Sequence, residues 1–180
     1  MDDLKLSRAF TLIEPGPVVL VTTHDRAKDN IMTITWTMVM GFSADFAITT
    51  GPWNHSYAAL RDTKECVLSI PTVDMIDTAV GVGMCSGTDT DKFEKFGLTR
   101  VAGRHVKAPL IKECFANIEC RVVDFVDRHS IIVLEGVAAY IDNARKEKRM
   151  IHAVGDGTFI VDGDTIDRKE MMHAKIPSGL

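Results

Sequence analysis

Pro17-Val18-Val19-Leu20-Val21-Thr22-Thr23, the polar stretch His24 to Asp29, the run Ile31 to Val39 and then Asp45 to Thr50 decide the fold. These are three β-rich runs with only turns between them. Parallel neighbours need a crossover of a dozen or more residues, most often a helix, and 17–50 has no room for one. The strands therefore read as antiparallel, and a doubly wound parallel sheet fits poorly. Gly51-Pro52 stops the third strand, and a short helix is expected from Ser56 to Asp62 with Asn54 as its N-cap. Lys64 to Ile70, closed by Pro71, reads as the next strand.

Further along, Met75 to Val82 has helical spacing, Ser86 to Asp91 is a polar loop, and Lys92 to Phe96 predicts one or two helical turns. Ala116, Ile118, Cys120 and Val122 then alternate with Asn117, Glu119 and Arg121, the period of a strand with one buried face. Ile131 to Ile141 is apolar on both faces apart from Glu135, so its outer face is expected to meet something as well. Several antiparallel strands with two or three short helical insertions predict a mainly β fold, a closed or nearly closed barrel. No repeat, low-complexity tract or linker divides the 180 residues, which read as one domain, 1–180.

The formal net charge is -4 and no Lys/Arg block is present, which argues against nucleic acid or an anionic membrane as partner. Met1-Asp2-Asp3-Leu4-Lys5 lacks the basic-then-apolar layout of a signal peptide, and no apolar run approaches a membrane span, so the chain reads as cytoplasmic. Cys66, Cys85, Cys114 and Cys120 form no Cys-x-x-Cys pair and find no matching His spacing. They read as free thiols, with no metal site.

Three polar clusters stand at element boundaries. Asn30-Ile31-Met32-Thr33 with Trp36 offers hydrogen-bonding groups beside a flat apolar surface, suited to a planar ligand with a polar edge. Thr49-Thr50-Gly51-Pro52-Trp53-Asn54-His55-Ser56 joins free helix-start amides to a hydroxyl and an imidazole, a seat for phosphate. Ser86-Gly87 to Lys92-Phe93 supplies small residues for close backbone approach, one cation for an anionic group and one ring for stacking. Each cluster taken singly also reads as ordinary strand ends, turns and caps. No nucleophile elbow, Walker loop or Gly-x-Gly-x-x-Gly is present, so hydrolase, kinase and Rossmann readings lose their best support.

Taken in order, Pro17 to Thr23, Asn30-Ile31-Met32-Thr33, Trp36, Asn54-His55-Ser56-Tyr57, Ser86-Gly87 and Asp91-Lys92-Phe93 resemble the flavin reductase-like, FMN-binding split-barrel family that includes the flavoredoxins. The resemblance continues through Gly97-Leu98, Pro109-Leu110-Ile111, Glu119-Cys120 and His152 to Phe159. It implies a Greek-key antiparallel split β-barrel, a homodimer, and FMN held non-covalently near the subunit interface. By the same resemblance, Asn30, Ile31, Met32, Thr33 and Trp36 would lie along the flavin ring, with Thr33 or nearby backbone donating to its polar edge. Thr50, Asn54, His55 and Ser56 would hold the ribityl chain and phosphate, and Ser86, Gly87, Lys92 and Phe93 would close over the cofactor. Relatives often carry a Ser-x-x-Pro-Pro turn where this chain has Ser43-Ala44-Asp45-Phe46, which places the substrate side of the pocket in a differently shaped loop.

The resemblance implies an enzyme without catalytic side chains, in which flavin accepts hydride from NADH or NADPH. A flavoredoxin-like carrier that serves a redox partner protein is the alternative, and a non-catalytic flavin-binding or structural barrel is the third reading.

Overall fold

The computed structural model describes residues 1–7, 9, 16–26 and 28–179. Among these the strands are β1 (Asp2–Leu4), β2 (Val19–Asp25), β3 (Lys28–Ile34), β4 (Thr37–Val39), β5 (Asp45–Thr49), β6 (Glu65–Ile70), β7 (Arg100–Val101), β8 (Leu110–Ile111), β9 (Ala116–Val126), β10 (Ile131–Ile141), β11 (Ile151–Ala153) and β12 (Phe159–Val161). The helices are α1 (Ser56–Thr63), α2 (Ile76–Gly83), α3 (Lys92–Lys95) and α4 (Lys169–Met172). None of them is long and apolar enough to cross a membrane.

One antiparallel sheet dominates, in the order β3-β2-β6-β9-β10-β5-β4, with β1 added to β10. The order is that of a sheet curled into a split barrel: β3 and β4 are its two edges, yet only Thr35 and Trp36 separate them in the chain. Three Cα steps from Ile34 to Thr37 span at most about 11 Å, so the edges must approach one another. The run from 31 to 39 is therefore two strands on opposite edges, which corrects the single strand expected there. The correction follows from pairing: Thr22 lies opposite Ile31 on one side, while Met38 lies opposite Ala47 on the other. Propensity is the same through both segments and cannot see this.

Inward side chains from the strands form the barrel core, among them Val19, Met32, Phe46, Leu68, Ile118, Ile132 and Leu134, and α1 lays Leu60 against it. Cutting a fully buried Leu such as Leu68 back to Ala would cost about 2–5 kcal/mol. The opposite face of β2 and β3 is also covered: Leu20 and Ile31 pack with Ala79 and Val82 of α2 and with Phe93 of α3.

A second correction concerns β9. Asn117 and Glu119, expected on a solvated face, are fully buried because the segment through Val106, Ala108 and Leu110 lies over them. The Glu119 carboxylate accepts from the backbone N–H groups of Arg104, His105 and Val106 and from the Tyr140 hydroxyl at 2.6 Å. Burial alone would raise its pKa, but these hydrogen bonds outweigh burial and hold it below the ordinary carboxylate value. Asn117 likewise bonds both the N–H and the carbonyl of Ile111. Two polar side chains thus dock the outer loop on the sheet. In the turn before β5, Ser43 Oγ donates to Asp45 Oδ2 at 2.5 Å and Met40 N donates to Asp45 O at 3.0 Å. The proline-free turn is closed by its own hydrogen bonds.

Candidate functional site

Among the described residues β3 pairs only with β2, so every second N–H and C=O along it faces away from that partner. Three things converge on this edge: the last turn of α2, the loop 84–91, and the start of α1. Between them lies a cleft of about 290 Å³. From the expected residues it gathers Asn30, Met32, Thr33, Asn54, His55, Ser56, Ser86, Gly87 and Lys92. It also takes in Trp53, Val82, Gly83, Met84 and Cys85, none of which the sequence reading assigned to the site. Trp53 stood inside the second cluster, and Val82 to Cys85 run directly into Ser86; adjacency was the only signal for them.

At one end of the cleft Asn30, almost fully buried, donates through Nδ2 to Ser56 Oγ at 2.8 Å, joining β3 to the first residue of α1. Gly87 packs against the other side of Asn30: a Cβ added there would meet Asn30 Oδ1, with Cγ at 2.5 Å and Nδ2 at 2.7 Å. The position needs a glycine for close approach. Lys28 Nζ holds the Gly87 carbonyl at 2.5 Å, while Thr88 Oγ1 lies 3.3 Å from His55 Nδ1 and accepts from Ser86 Oγ at 2.9 Å. The loop is thereby tied to both the β2–β3 hairpin and α1.

Lys92 lies under the cleft and is 5 % exposed. Its ammonium donates at 2.8 Å to Ile31 O, an outward carbonyl of the β3 edge, and at 2.8 Å to Val82 O in the last turn of α2. Burial lowers its pKa, partly offset by the nearby Cys85 thiol. Its start of helix is fixed by Asp91, which caps the Phe93 and Glu94 amides and forms a bidentate pair with Arg100 at 2.8 Å. Lys92 is thus a capped, buried charge shared among three elements, not a solvated cation awaiting an anion.

Several expected roles change in the structure. Phe93 is fully buried in the packing under α2, with the Arg100 guanidinium 4.2 Å from its ring centroid, so it has no free face for stacking in the cleft. The Ile31 side chain is buried in the same layer. Trp36 sits in the break between β3 and β4, 66 % exposed, beside a smaller adjoining cavity with Thr33, Thr49, Trp53 and Asn54. The Thr33 hydroxyl donates to Ala79 O at 2.6 Å, fastening α2 to β3, so the donor left at this position is its outward backbone N–H. Thr50 is buried: it accepts from Asn54 Nδ2 at 2.9 Å and reaches Met32 Sδ at 3.9 Å, positioning two cleft residues from behind. Asn54 is therefore not the N-cap of α1; His55 occupies that place without a capping side-chain bond.

The lining is chemically uneven. Asn30, His55, Ser56 and Ser86 gather at one end, and Met32, Val82 and Met84 supply apolar surface. Among the described residues Lys92 is the single Lys or Arg in the lining, and no carboxylate belongs to that lining. Among the described residues no cluster of His, Cys, Asp and Glu is placed to hold a metal.

Comparison with known proteins agrees with this architecture. An uncharacterised protein of Archaeoglobus fulgidus is 35% identical over 150 residues, covering 82% of this chain and 77% of its own length. The uncharacterised protein YddH of Escherichia coli is 28% identical over 181 residues, covering 91% and 95%. Among solved structures, an FMN-binding domain of a flavin reductases-like enzyme from Shewanella baltica superposes with a TM-score of 0.85 at 20% identity, covering 92% of this chain and 96% of that one. Flavoredoxin of Desulfovibrio vulgaris superposes with a TM-score of 0.76 at 24% identity, covering 85% and 90%. Residues 12–157 match the flavin reductase like domain, and the chain belongs to that family.

Proposed function

We propose that the cleft binds FMN non-covalently and that the protein is an oxidoreductase in which NADH or NADPH reduces the flavin. The carrying observation is the lining itself: hydroxyl, amide and imidazole groups, apolar surface from Met32, Val82 and Met84, and, among the described residues, no carboxylate to act as acid or base. A cleft so lined assigns the chemistry to its ligand, and FMN supplies hydride and one-electron transfer when bound. Asn30, His55, Ser56, Ser86 and the Gly87 backbone suit the ribityl phosphate. Met32 and Val82 would shield a flavin ring from water, and the outward Thr33 N–H would be a donor for its polar edge. The buried Lys92 charge favours an anionic ligand above it.

The reading includes a homodimer. Its support is the outward face of β4, β5 and β10, where Met38, Ala47 and Val133 form one row and Thr49 and Ile131 belong to the next, beside Trp36. Met38 is 52 % exposed and Trp36 more so, a sheet face more apolar than a solvated one. A second copy seated there would border the cavity that Trp36 shares with Trp53.

The test is an absorption spectrum of the purified protein, followed by anaerobic addition of each nicotinamide. Flavin bands that bleach with NADH or NADPH are expected. Bound FMN that neither donor bleaches would replace the reductase with an electron carrier, for which exposed Met84 and Trp53 at the cleft offer a landing surface for a redox protein. A colourless protein without FMN affinity would leave a non-catalytic barrel.

A further inference from the structure

Beyond β12 the chain leaves the body. Residues 163–175 are exposed without exception, and among the described residues the hydrogen bonds of 163–179 stay within that segment. Yet the segment carries Ile166, 70 % exposed, and Met171, 82 % exposed, with Met172 beside them. On the body, the outward face of β4, β5 and β10 is bare as well, and it holds a hollow of about 370 Å³ between Trp36, Met38, Ala47, Thr49 and Ile131. We propose that 163–179 is an exchanged arm: the arm of one copy lies on this face of a second copy of the chain, which returns its own. The inference rests on the dimer reading.

Size, shape and charge each support it. A stable interface takes roughly 20–30 residues from each side, and the two rows of this face supply too few. The seventeen residues of the arm bring the count toward that range. Methionine is unbranched and adaptable, so Met171 and Met172 suit an open hollow that a rigid side chain would not match. One step further along the same face, Asp45 and Glu135 lie directly opposite one another across β5 and β10, a pair of like charges. Among the described residues neither carboxylate belongs to an ion pair, and neither do Arg168, Lys169 and Lys175 of the arm. Cations that flank the methionines thus meet carboxylates that flank the hollow. The arm has no seat on its own body, and in a two-fold pair each face receives one arm. Laid there, the arm also roofs the cavity that Trp36 shares with Thr33, Trp53 and Asn54, so the second copy closes the side of the cleft next to the β3–β4 break.

The chain has two tryptophans, Trp36 and Trp53, so Trp53→Phe makes the emission of the full-length protein a report on Trp36 alone. In that background Trp36 is expected to be shielded from acrylamide at concentrations where sedimentation shows a dimer, and to become quenchable on dilution to the monomer. Met171→Asp with Met172→Asp, at positions exposed in the single chain, should weaken the dimer about 100-fold and uncover Trp36 at an unchanged concentration. Arg168→Glu should weaken it about tenfold, and Glu135→Lys added in the same chain should restore it. A dimer that keeps its strength and its shielded Trp36 in the methionine variant overturns the inference and leaves two copies joined face to face. Shielding that survives dilution to the monomer overturns it too, because the arm then covers its own face. No restoration by Glu135→Lys overturns the placement of the arm on this face. A wild type that is monomeric at every concentration removes the dimer reading and the inference with it.

Discussion

Gly87→Ala would test how the cleft is held open at its polar end. The added Cβ falls on the Asn30 amide, within 2.5 Å of Cγ and 2.7 Å of Nδ2, and Asn30 is only 6 % exposed, so the side chain cannot swing freely into solvent. Moving it breaks the 2.8 Å bond to Ser56, a net loss of about 1 kcal/mol, and leaves a buried amide unpaired at a further cost of about 1–3 kcal/mol if no new partner is found. Roughly 2–4 °C of melting temperature is lost per kcal/mol in a chain of this size, so a fall of about 2–16 °C is expected by scanning calorimetry. Asn30 also lines the cleft, and on the FMN reading its displacement should weaken FMN by about 10- to 100-fold in a fluorescence titration, at about 1.4 kcal/mol per factor of ten. The decisive comparison is a double-mutant cycle: on an Asn30→Ala background the clash has no target, and Gly87→Ala should add almost nothing. Wild-type affinity and melting temperature in Gly87→Ala, or full additivity with Asn30→Ala, would refute the close-packing role.

Lys92→Met leaves Ile31 O and Val82 O without their donor, and a loss of about 2–4 kcal/mol should show as a lower urea midpoint at unchanged slope. His55→Ala combined with Ser56→Ala should weaken FMN by about 10- to 100-fold while the far-ultraviolet spectrum stays native, and unchanged affinity would remove both from the phosphate end. Glu119 has a folded pKa below its ordinary 4.5, so its stabilisation is complete above about pH 4.5 and is lost as pH falls through the folded value; Glu119→Gln should be less stable than wild type near neutrality, by a margin that narrows in acid-unfolding curves. Met38→Asp places a charge in the outward row of β4; on the dimer reading, sedimentation should show wild type as a dimer and the variant as a monomer at the same concentration.

The antiparallel barrel was legible because 17–50 is too crowded for crossovers, a constraint of chain length that needs no tertiary information. Much of the cleft was legible for a related reason: Asn30, His55, Ser56, Ser86 and Gly87 are polar or small residues at boundaries, more of them than turns and caps require. What stayed hidden depended on layers that periodicity cannot see. The alternation at Asn117 and Glu119 is that of a solvated strand, and only the segment 104–111 folding over it turns those residues into buried anchors. Phe93 and Lys92 have the right types for a ligand site, but the short helix they begin turns both inward. Trp36 looked continuous with Thr33 because nothing local to 31–39 says that the strand changes edges at Thr35.

That edge strand carries a further consequence, for folding fidelity. Asn30 and Met32 line the cleft, while Ile31 between them packs under α2 and lends its carbonyl to Lys92. A slip of β3 by a single residue against β2 would send Ile31 and Thr33 where Asn30 and Met32 belong, and would bury the Asn30 amide among aliphatic side chains. The shape of the cleft and the correct strand alignment are therefore one and the same property. A preparation in which part of the protein had misaligned this strand would reveal itself as a sub-stoichiometric ligand capacity before any change in secondary-structure content.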